Sequence, residues 1–208
     1  MEFSRMTRKE QILKAATVLF ANKGYAETTT LELSSVIGVA SGTIFYHFGS
    51  KEGLFLAVLE DIHKTIDMEF EIYFKELKFS SGIQMLGEVI AFYLYIASKH
   101  ESQFMLMQQP HTSKMAQTNG KCRRHLEAIY NRLADIFEKT ILLGQKDDSI
   151  ADLPARKTAL IVFSMVDGFV RLKNNNIYDA GALFNELVKL CQRMLENRSN
   201  ERESRRAH

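Results

Sequence analysis

The sequence predicts an all-α fold, in which a small N-terminal domain of three helices precedes a larger helical domain, with about nine helices in total. Leu, Ala, Glu, Lys and Met recur at helical spacing along the chain. Only two prolines, Pro110 and Pro154, occur in 208 residues. Strand-like alternation of apolar and polar residues between turn signals is scarce.

The first helix is predicted over residues 7–23. It opens with Thr7-x-x-Glu10, a capping box in which each side chain accepts from the other residue's exposed backbone N–H. Gly24 supplies the residue that ends it. The predicted buried face consists of Ile12, Ala16, Leu19 and Phe20.

Two short helices follow, joined by a tight turn. A second capping box, Thr29-x-x-Glu32, begins one helix, and Gly38 ends it. The next runs from Ser41 to Phe48, with one apolar face and one polar face. The apolar face carries Ile44 and Phe48, and the polar face carries Thr43, Tyr46 and His47.

The fourth helix begins at Lys51 with Ser50 as its cap, and is expected to link the two domains. Further helices are predicted near 82–99, 101–109, 115–143, 155–173 and 179–196. Loops are predicted at Pro110 to Lys114 and Gly144 to Asp152. Residues 197–208 have no apolar anchor, so the tail is predicted to be disordered.

Composition restricts the classes of protein. The net charge is only +2, so any nucleic-acid binding must depend on local geometry. The N-terminus lacks the apolar stretch of a signal peptide, and the longest apolar run, Ala159 to Val170, is interrupted by Asp167 and too short to cross a bilayer. Cys122 and Cys191 form no C-x-x-C pair. These features favour a cytoplasmic protein without a membrane segment and with two buried thiols.

The pair of short helices has the geometry that places a recognition helix in the DNA major groove. Its polar face would reach phosphates and base edges. Gly42 has two readings, since it either allows close approach of DNA to the backbone or is merely inexpensive in a first helical turn. His47 likewise either contacts DNA or packs under the helix.

The stretch from Gly24 to Leu54, GYAETTTLELSSVIGVASGTIFYHFGSKEGL, resembles the DNA-binding signature of the TetR family. The resemblance implies that Thr30 and Lys51 hold phosphates and that the recognition helix contacts DNA through Ser41, Gly42, Thr43, Phe45, Tyr46 and His47. The family often has Ser at position 40 and Tyr at position 45. Ala40 and Phe45 therefore remove a cap and a hydroxyl, for which Ser41 and Tyr46 are candidates to compensate.

By the same resemblance, residues 1–50 form a helix-turn-helix domain and residues 51–208 an effector-binding and dimerisation domain. The implied protein is a homodimeric regulator, favoured as a repressor, which a small apolar or aromatic ligand releases from a palindromic operator. Aromatic and Met residues are candidates for the effector pocket: Tyr73, Phe92, Tyr93, Phe104, Met105, Met107 and Phe137. The last two helices carry apolar stripes, and the expected dimer interface comprises Phe163, Val166, Phe169, Leu183, Leu187, Leu190 and Met194.

Two other classes of protein are alternatives to a DNA-binding regulator. An enzyme is disfavoured because the sequence has no G-x-S-x-G, S-x-x-K, H-E-x-x-H, Walker or dinucleotide motif. His100, His111 and His125 do not have the spacing of known metal ligands, so neither a metal nor a cofactor is expected. A helical module that binds only other proteins is the second alternative, and the salt dependence of binding distinguishes it from a DNA-binding protein.

Overall fold

A computed structural model describes residues 6–76 and 80–197, which form ten α-helices. This confirms the predicted all-α class, and in the same residues the only β-type pairing is an isolated bridge between Ile150 and Glu196. The helices are α1 Arg8–Lys23, α2 Thr30–Ile37, α3 Ser41–Phe48, α4 Lys51–Glu76, α5 Gly82–Lys99, α6 Glu101–Gln108, α7 Pro110–Thr118, α8 Gly120–Lys146, α9 Ala155–Asn174 and α10 Ala180–Leu195. Of the tail predicted to be disordered, residues 197–208, all but Asn197 lie outside the described residues.

The predicted caps of α1 and α2 form to different extents. At α1, Thr7 N–H donates to Glu10 Oε2 at 2.7 Å and Glu10 N–H donates to Thr7 Oγ1 at 3.3 Å, which completes the capping box. At α2, Glu32 N–H donates to Thr29 Oγ1 at 3.1 Å. The Glu32 carboxylate instead accepts from Lys23 Nζ at 2.9 and 2.8 Å. An ion pair between α1 and α2 therefore replaces the second half of the predicted box.

The predicted loop from Pro110 to Lys114 is wrong, because these residues form the first half of α7. Pro110 occupies the first turn of the helix, where a residue without an N–H is tolerated and its fixed φ suits the helix. The predicted helix over 115–143 is instead divided at Asn119, whose Oδ1 accepts from the N–H groups of Lys121 and Cys122 at 2.9 and 3.1 Å. The loop predicted from Gly144 begins only after Lys146.

The chain divides into two compact units. Unit 1 comprises residues 6–70 and 100–130, and unit 2 comprises 71–76, 80–99 and 131–197. In unit 1, α6 packs against α1, and Gln109 Nε2 donates to Ala21 O at 2.7 Å. In unit 2, α5 packs against α9 and α10. The predicted domain boundary after residue 50 stays a prediction.

Each unit has an apolar core of its own. The core of unit 1 includes Ile12, Phe20, Leu33, Ile44, Leu54, Phe55 and Ile62, all at most 1% exposed. The core of unit 2 includes Leu86, Ile90, Tyr93, Phe137, Val162 and Val166. Among the residues described, no helix is both long and apolar enough to cross a membrane.

Two glycines of unit 2 let α5 and α8 meet backbone to backbone. A Cβ built on Gly82 would overlap the backbone of Gly144, and the N–H of Gly82 donates to Asp147 Oδ2 at 2.7 Å. A glycine is therefore required at position 82 because there is no room for a Cβ, and not because of its φ angle.

We expect Gly82→Ala to lower the free energy of unfolding by about 1–3 kcal/mol, because the added methyl group overfills this contact. Gly168→Ala is the matched control. Nothing lies within 4 Å of a Cβ at Gly168, inside α9, so this change should raise stability by up to about 1 kcal/mol. Urea unfolding measures both, and equal effects would contradict the contact argument.

Candidate nucleic-acid interface

The outer face of α3 is exposed while its inner face is buried. Ile44 is 1% exposed, whereas Tyr46 is 86% and Phe45 47% exposed. Gly42 and His47 also lie on the exposed side. The rings of Tyr46 and His47 meet edge to face, with their centroids 5.3 Å apart. The predicted residues of this face therefore form one surface of aromatic, imidazole and backbone groups.

The start of α3 lacks a side-chain cap. Ala40 is its N-cap and makes no side-chain hydrogen bond. The hydroxyl of Ser41 lies 2.9 Å from that of Ser34, so it links α3 to α2. Gly38, in the left-handed conformation at φ 72°, makes the turn between the two helices. Ser41 thus contributes to the angle between α2 and α3 through this bond.

The two predicted phosphate-binding residues lie at helix N-termini. Thr30 is the first residue of α2 and Lys51 the first of α4. Ser50 caps α4, as predicted, by accepting from the N–H of Gly53 at 2.9 Å. The N–H groups at such termini favour an anion, so both positions suit a phosphate.

Lys51 is half-buried and makes two contacts inside unit 1. Its Nζ lies 4.4 Å from the ring centroid of Tyr25 and donates to Ala26 O at 3.2 Å. Burial lowers the pKa of Lys51, and the nearby carboxylate of Glu27 opposes that shift.

An aromatic cluster adjoins Lys51 and was not foreseen from the sequence. The imidazole of His111, on α7, stacks on Tyr25 with ring centroids 4.2 Å apart and an interplanar angle of 6°. Phe55 meets both rings edge to face. Burial is the main cause that lowers the pKa of His111, and Lys51 and Lys114 lower it further.

The segment that carries this geometry matches a known protein family. Residues 12–58, which contain all of α2 and α3, match the family model described as bacterial regulatory proteins, tetR family. The chain therefore carries the DNA-binding segment that is typical of the TetR family.

The chain is similar to three proteins over most of its length. It is 26% identical to the HTH-type transcriptional repressor AcnR of Corynebacterium diphtheriae, over 78% of this chain and 79% of that protein. A putative transcriptional regulator from Saccharomonospora viridis, solved with choline, has a TM-score of 0.78 at 21% identity and covers 90% of this chain and 97% of its own. FadR from Bacillus subtilis, solved with stearoyl-CoA, has a TM-score of 0.69 at 23% identity and covers 88% and 96%. The two structures show the same fold.

The candidate effector residues are divided between the two units. Phe104, Met105 and Met107 belong to unit 1. The members in unit 2 are Tyr73, Phe92, Tyr93 and Phe137. Neither unit alone brings the full set together.

Three close contacts involve Tyr73 and Tyr93, two of the unit 2 members of that set. Tyr73 stacks on Phe92, with centroids 3.7 Å apart, and its hydroxyl donates to Glu88 O at 2.9 Å. Burial raises the pKa of Tyr73 to about 12. The hydroxyl of Tyr93 donates to Asp167 Oδ1 at 2.9 Å, which gives a polar pair beside buried aromatic rings.

The candidate dimer residues fall into two groups. Phe163, Val166 and Leu187 are buried within unit 2, and Phe169 is half-buried. The exposed members are all on α10, namely Leu183, Leu190 and Met194, at 37%, 51% and 50%.

The other candidates for chemistry are the two cysteines and His100, and their surroundings are those of structural residues. Cys122 and Cys191 are buried, as predicted, and burial raises the pKa of both thiols, that of Cys191 to about 11. His100 Nε2 lies 2.8 Å from Glu69 Oε1. Within residues 6–76 and 80–197, no three His, Cys, Asp or Glu side chains are grouped so as to hold a metal ion.

The lowered pKa of His111 predicts a pH dependence of stability. The folded state resists protonation more than the unfolded chain, whose imidazole titrates near 6.5. Stability from this residue is therefore complete above about pH 6.5 and is lost as pH falls towards the folded-state pKa.

We expect His111→Phe, which keeps a ring for stacking but cannot titrate, to lose less stability than the wild type between about pH 7 and 5. Urea unfolding at several pH values measures this. His125→Phe should change the pH profile in the same direction, because burial also lowers the pKa of His125. Identical pH profiles for wild type and His111→Phe would contradict the assignment.

Proposed function

We propose that this chain is a homodimeric transcriptional repressor that binds a palindromic operator in double-stranded DNA and leaves it when a small apolar or aromatic ligand binds. The observation that carries the proposal is the outward face of α3. Its large side chains are exposed to solvent although Ile44 beneath them is almost fully buried. Solvent-exposed aromatic side chains on a short helix after a glycine turn suit a partner that docks there.

In the proposed complex, α3 enters the major groove. Ser41, Gly42 and Thr43 face base edges, because the N-terminal part of a recognition helix lies deepest in the groove. Phe45 lies against the groove wall, and Tyr46 and His47 contact phosphate or sugar. Thr30 and Lys51 hold phosphates at the N-termini of α2 and α4.

A second copy of the chain is the proposed neighbour of α10. Leu183, Leu190 and Met194 give this helix an exposed apolar side, and Leu160 and Ile161 of α9 are also exposed, at 43% and 58%. Apolar area of this kind supports association. A twofold dimer would present two recognition helices about 34 Å apart, or a multiple of that distance, and so select a palindromic site.

Release by a ligand is proposed to act through α4. This helix begins at the phosphate-binding Lys51 and carries Tyr73, a candidate effector residue, near its other end. A ligand that favours another position of α4 would move the recognition helices off their spacing. The similarity to AcnR, a repressor, and to regulators solved with choline and stearoyl-CoA supports both repression and small-molecule control. We further propose that the protein acts in the cytoplasm and has no enzymatic activity.

Selection of bound duplexes from a random pool tests the proposal. We expect a twofold-symmetric consensus, and we expect its affinity to fall steeply as salt rises, because phosphate contacts release counterions. A helical module that binds only proteins would recover no consensus and show no such salt dependence.

The double variant Thr43→Ala, Tyr46→Ala should lower affinity for the selected duplex by at least about 30-fold, which is roughly 1 kcal/mol for each of two lost contacts. Fluorescence anisotropy measures the affinity. Tyr178→Ala is the control, because Tyr178 is also exposed, at 63%, but lies between α9 and α10. Full duplex affinity in the double variant would overturn the assignment of α3.

Gly42→Ala separates the two readings of Gly42. A Cβ there meets no atom within 4 Å, so the folded protein should gain up to about 1 kcal/mol of stability from helix propensity. If DNA approaches this backbone closely, affinity should nevertheless fall by about tenfold or more. A variant that is more stable and binds DNA as tightly as the wild type would leave Gly42 without a role in binding.

A further inference from the structure

A single ring, that of Tyr25, contacts both the candidate phosphate-binding lysine and a helix distant in sequence. Lys51 Nζ lies 4.4 Å from its centroid, and His111 of α7 stacks on it at 4.2 Å. We propose that Tyr25 and His111 are positioning residues, which hold the Lys51 ammonium at the N-terminus of α4 so that the ammonium and the helix's N–H groups bind the same phosphate. This inference rests on the proposed DNA-binding function.

Lys51 gains a preferred position from two contacts. A lysine side chain has many rotamers, and ordering it on binding costs conformational entropy. The face of Tyr25 attracts the ammonium electrostatically, and Ala26 O accepts a hydrogen bond from it. Much of the ordering has therefore occurred before DNA arrives, which is the basis of preorganisation.

These two contacts are weak enough to yield to a phosphate. A neutral ring and a neutral carbonyl attract an ammonium less than a phosphate does, because the phosphate carries a full negative charge of its own. Lys51 is already half-buried, so part of its hydration has been lost in the unbound protein. The ring and the carbonyl therefore hold the ammonium near α4 without competing with the DNA.

The Tyr25 ring is itself fixed on several sides. Gly24, at φ 89°, turns the chain before it. Phe20 and Phe55 lie with centroids 5.5 and 5.2 Å from that of Tyr25, and His111 stacks almost parallel to it. Gln109, directly before α7, donates to Ala21 O. This hydrogen bond holds the start of α7, and with it His111, against the end of α1.

Burial and the neighbouring cations favour the neutral form of His111. Lys51 and Lys114 are the cations that act on its imidazole, Glu27 acts on Lys51, and Glu52 acts on Tyr25. A protonated imidazole would add a third positive charge beside Lys51. His111 therefore acts through its stacked ring rather than as a second phosphate ligand.

The experiment is a double-mutant cycle with a salt titration, using the full chain and a random-sequence duplex at low salt. Lys51→Met should lower affinity and reduce the salt slope by about one counterion per protomer. Tyr25→Leu should reproduce both effects. The double variant should bind no worse than Lys51→Met, because Tyr25 acts through Lys51. Tyr25→Phe retains the ring face and should bind like the wild type.

His111 provides a second pair of variants that changes the cluster from its α7 side. His111→Phe keeps a ring and should keep affinity, whereas His111→Ala should lose affinity and salt slope in the same direction as Tyr25→Leu. Urea unfolding confirms that each variant is folded, and where Tyr25→Leu is not, the His111 pair decides the question.

Three outcomes would overturn the inference while leaving the proposed function intact. They are an unchanged affinity in Tyr25→Leu and His111→Ala, losses from Tyr25→Leu and Lys51→Met that add in the double variant, and a Tyr25→Leu loss without any change in salt slope. If instead the wild type shows no salt-dependent affinity for duplex DNA, the proposed function itself fails.

Discussion

The burial of Ile44 is the interaction on which the candidate DNA surface depends. α3 has only eight residues and no side-chain cap, and a helix of that length is not stable alone in water. Its stability must come from tertiary packing. Ile44 supplies that packing by insertion into the core of unit 1, and the Ser34–Ser41 hydroxyl contact fixes the start of the helix against α2. Phe45, Tyr46 and His47 are exposed as a consequence, because they lie on the other side of a helix that is held from below.

The same anchoring fixes the start of α4. Gly49, at φ 71°, ends α3, and a Cβ on Gly53 would overlap the carbonyl oxygen of Phe48, so the two helices meet more closely than any other residue at position 53 would allow. Ser50 caps α4 within that junction. The position of Lys51 is thus set by the end of α3, and the two parts of the candidate interface, the recognition helix and the helix terminus, are placed by one short segment.

The local features of this region could be predicted from the sequence, because each depends on residues within a few positions of one another. The Thr7–Glu10 box, the turn at Gly38 and the buried Ile44 are of this kind. Features that depend on distant residues could not. Glu32 has two possible partners in the chain near it, and the ion pair with Lys23 prevailed over the second half of the box. Pro110 indicates a loop unless it is known to occupy the first turn of a helix. The stack of His111 on Tyr25 joins parts of the chain far apart in sequence, so no periodic pattern in the sequence predicts it.

Because the net charge is small, the positions of a few individual groups matter for DNA binding. Residues 1–53 carry six Lys and Arg against five Glu, so the region around the recognition helix has no strong positive field to attract DNA. Lys23 is also engaged with Glu32. Binding must then depend on a few groups in well-defined positions rather than on the number of cations. A lysine whose ammonium contacts a ring and a carbonyl, rather than a carboxylate, keeps its charge available for a phosphate. In a protein with little excess charge, the position of one such side chain matters more than it would on a strongly basic surface.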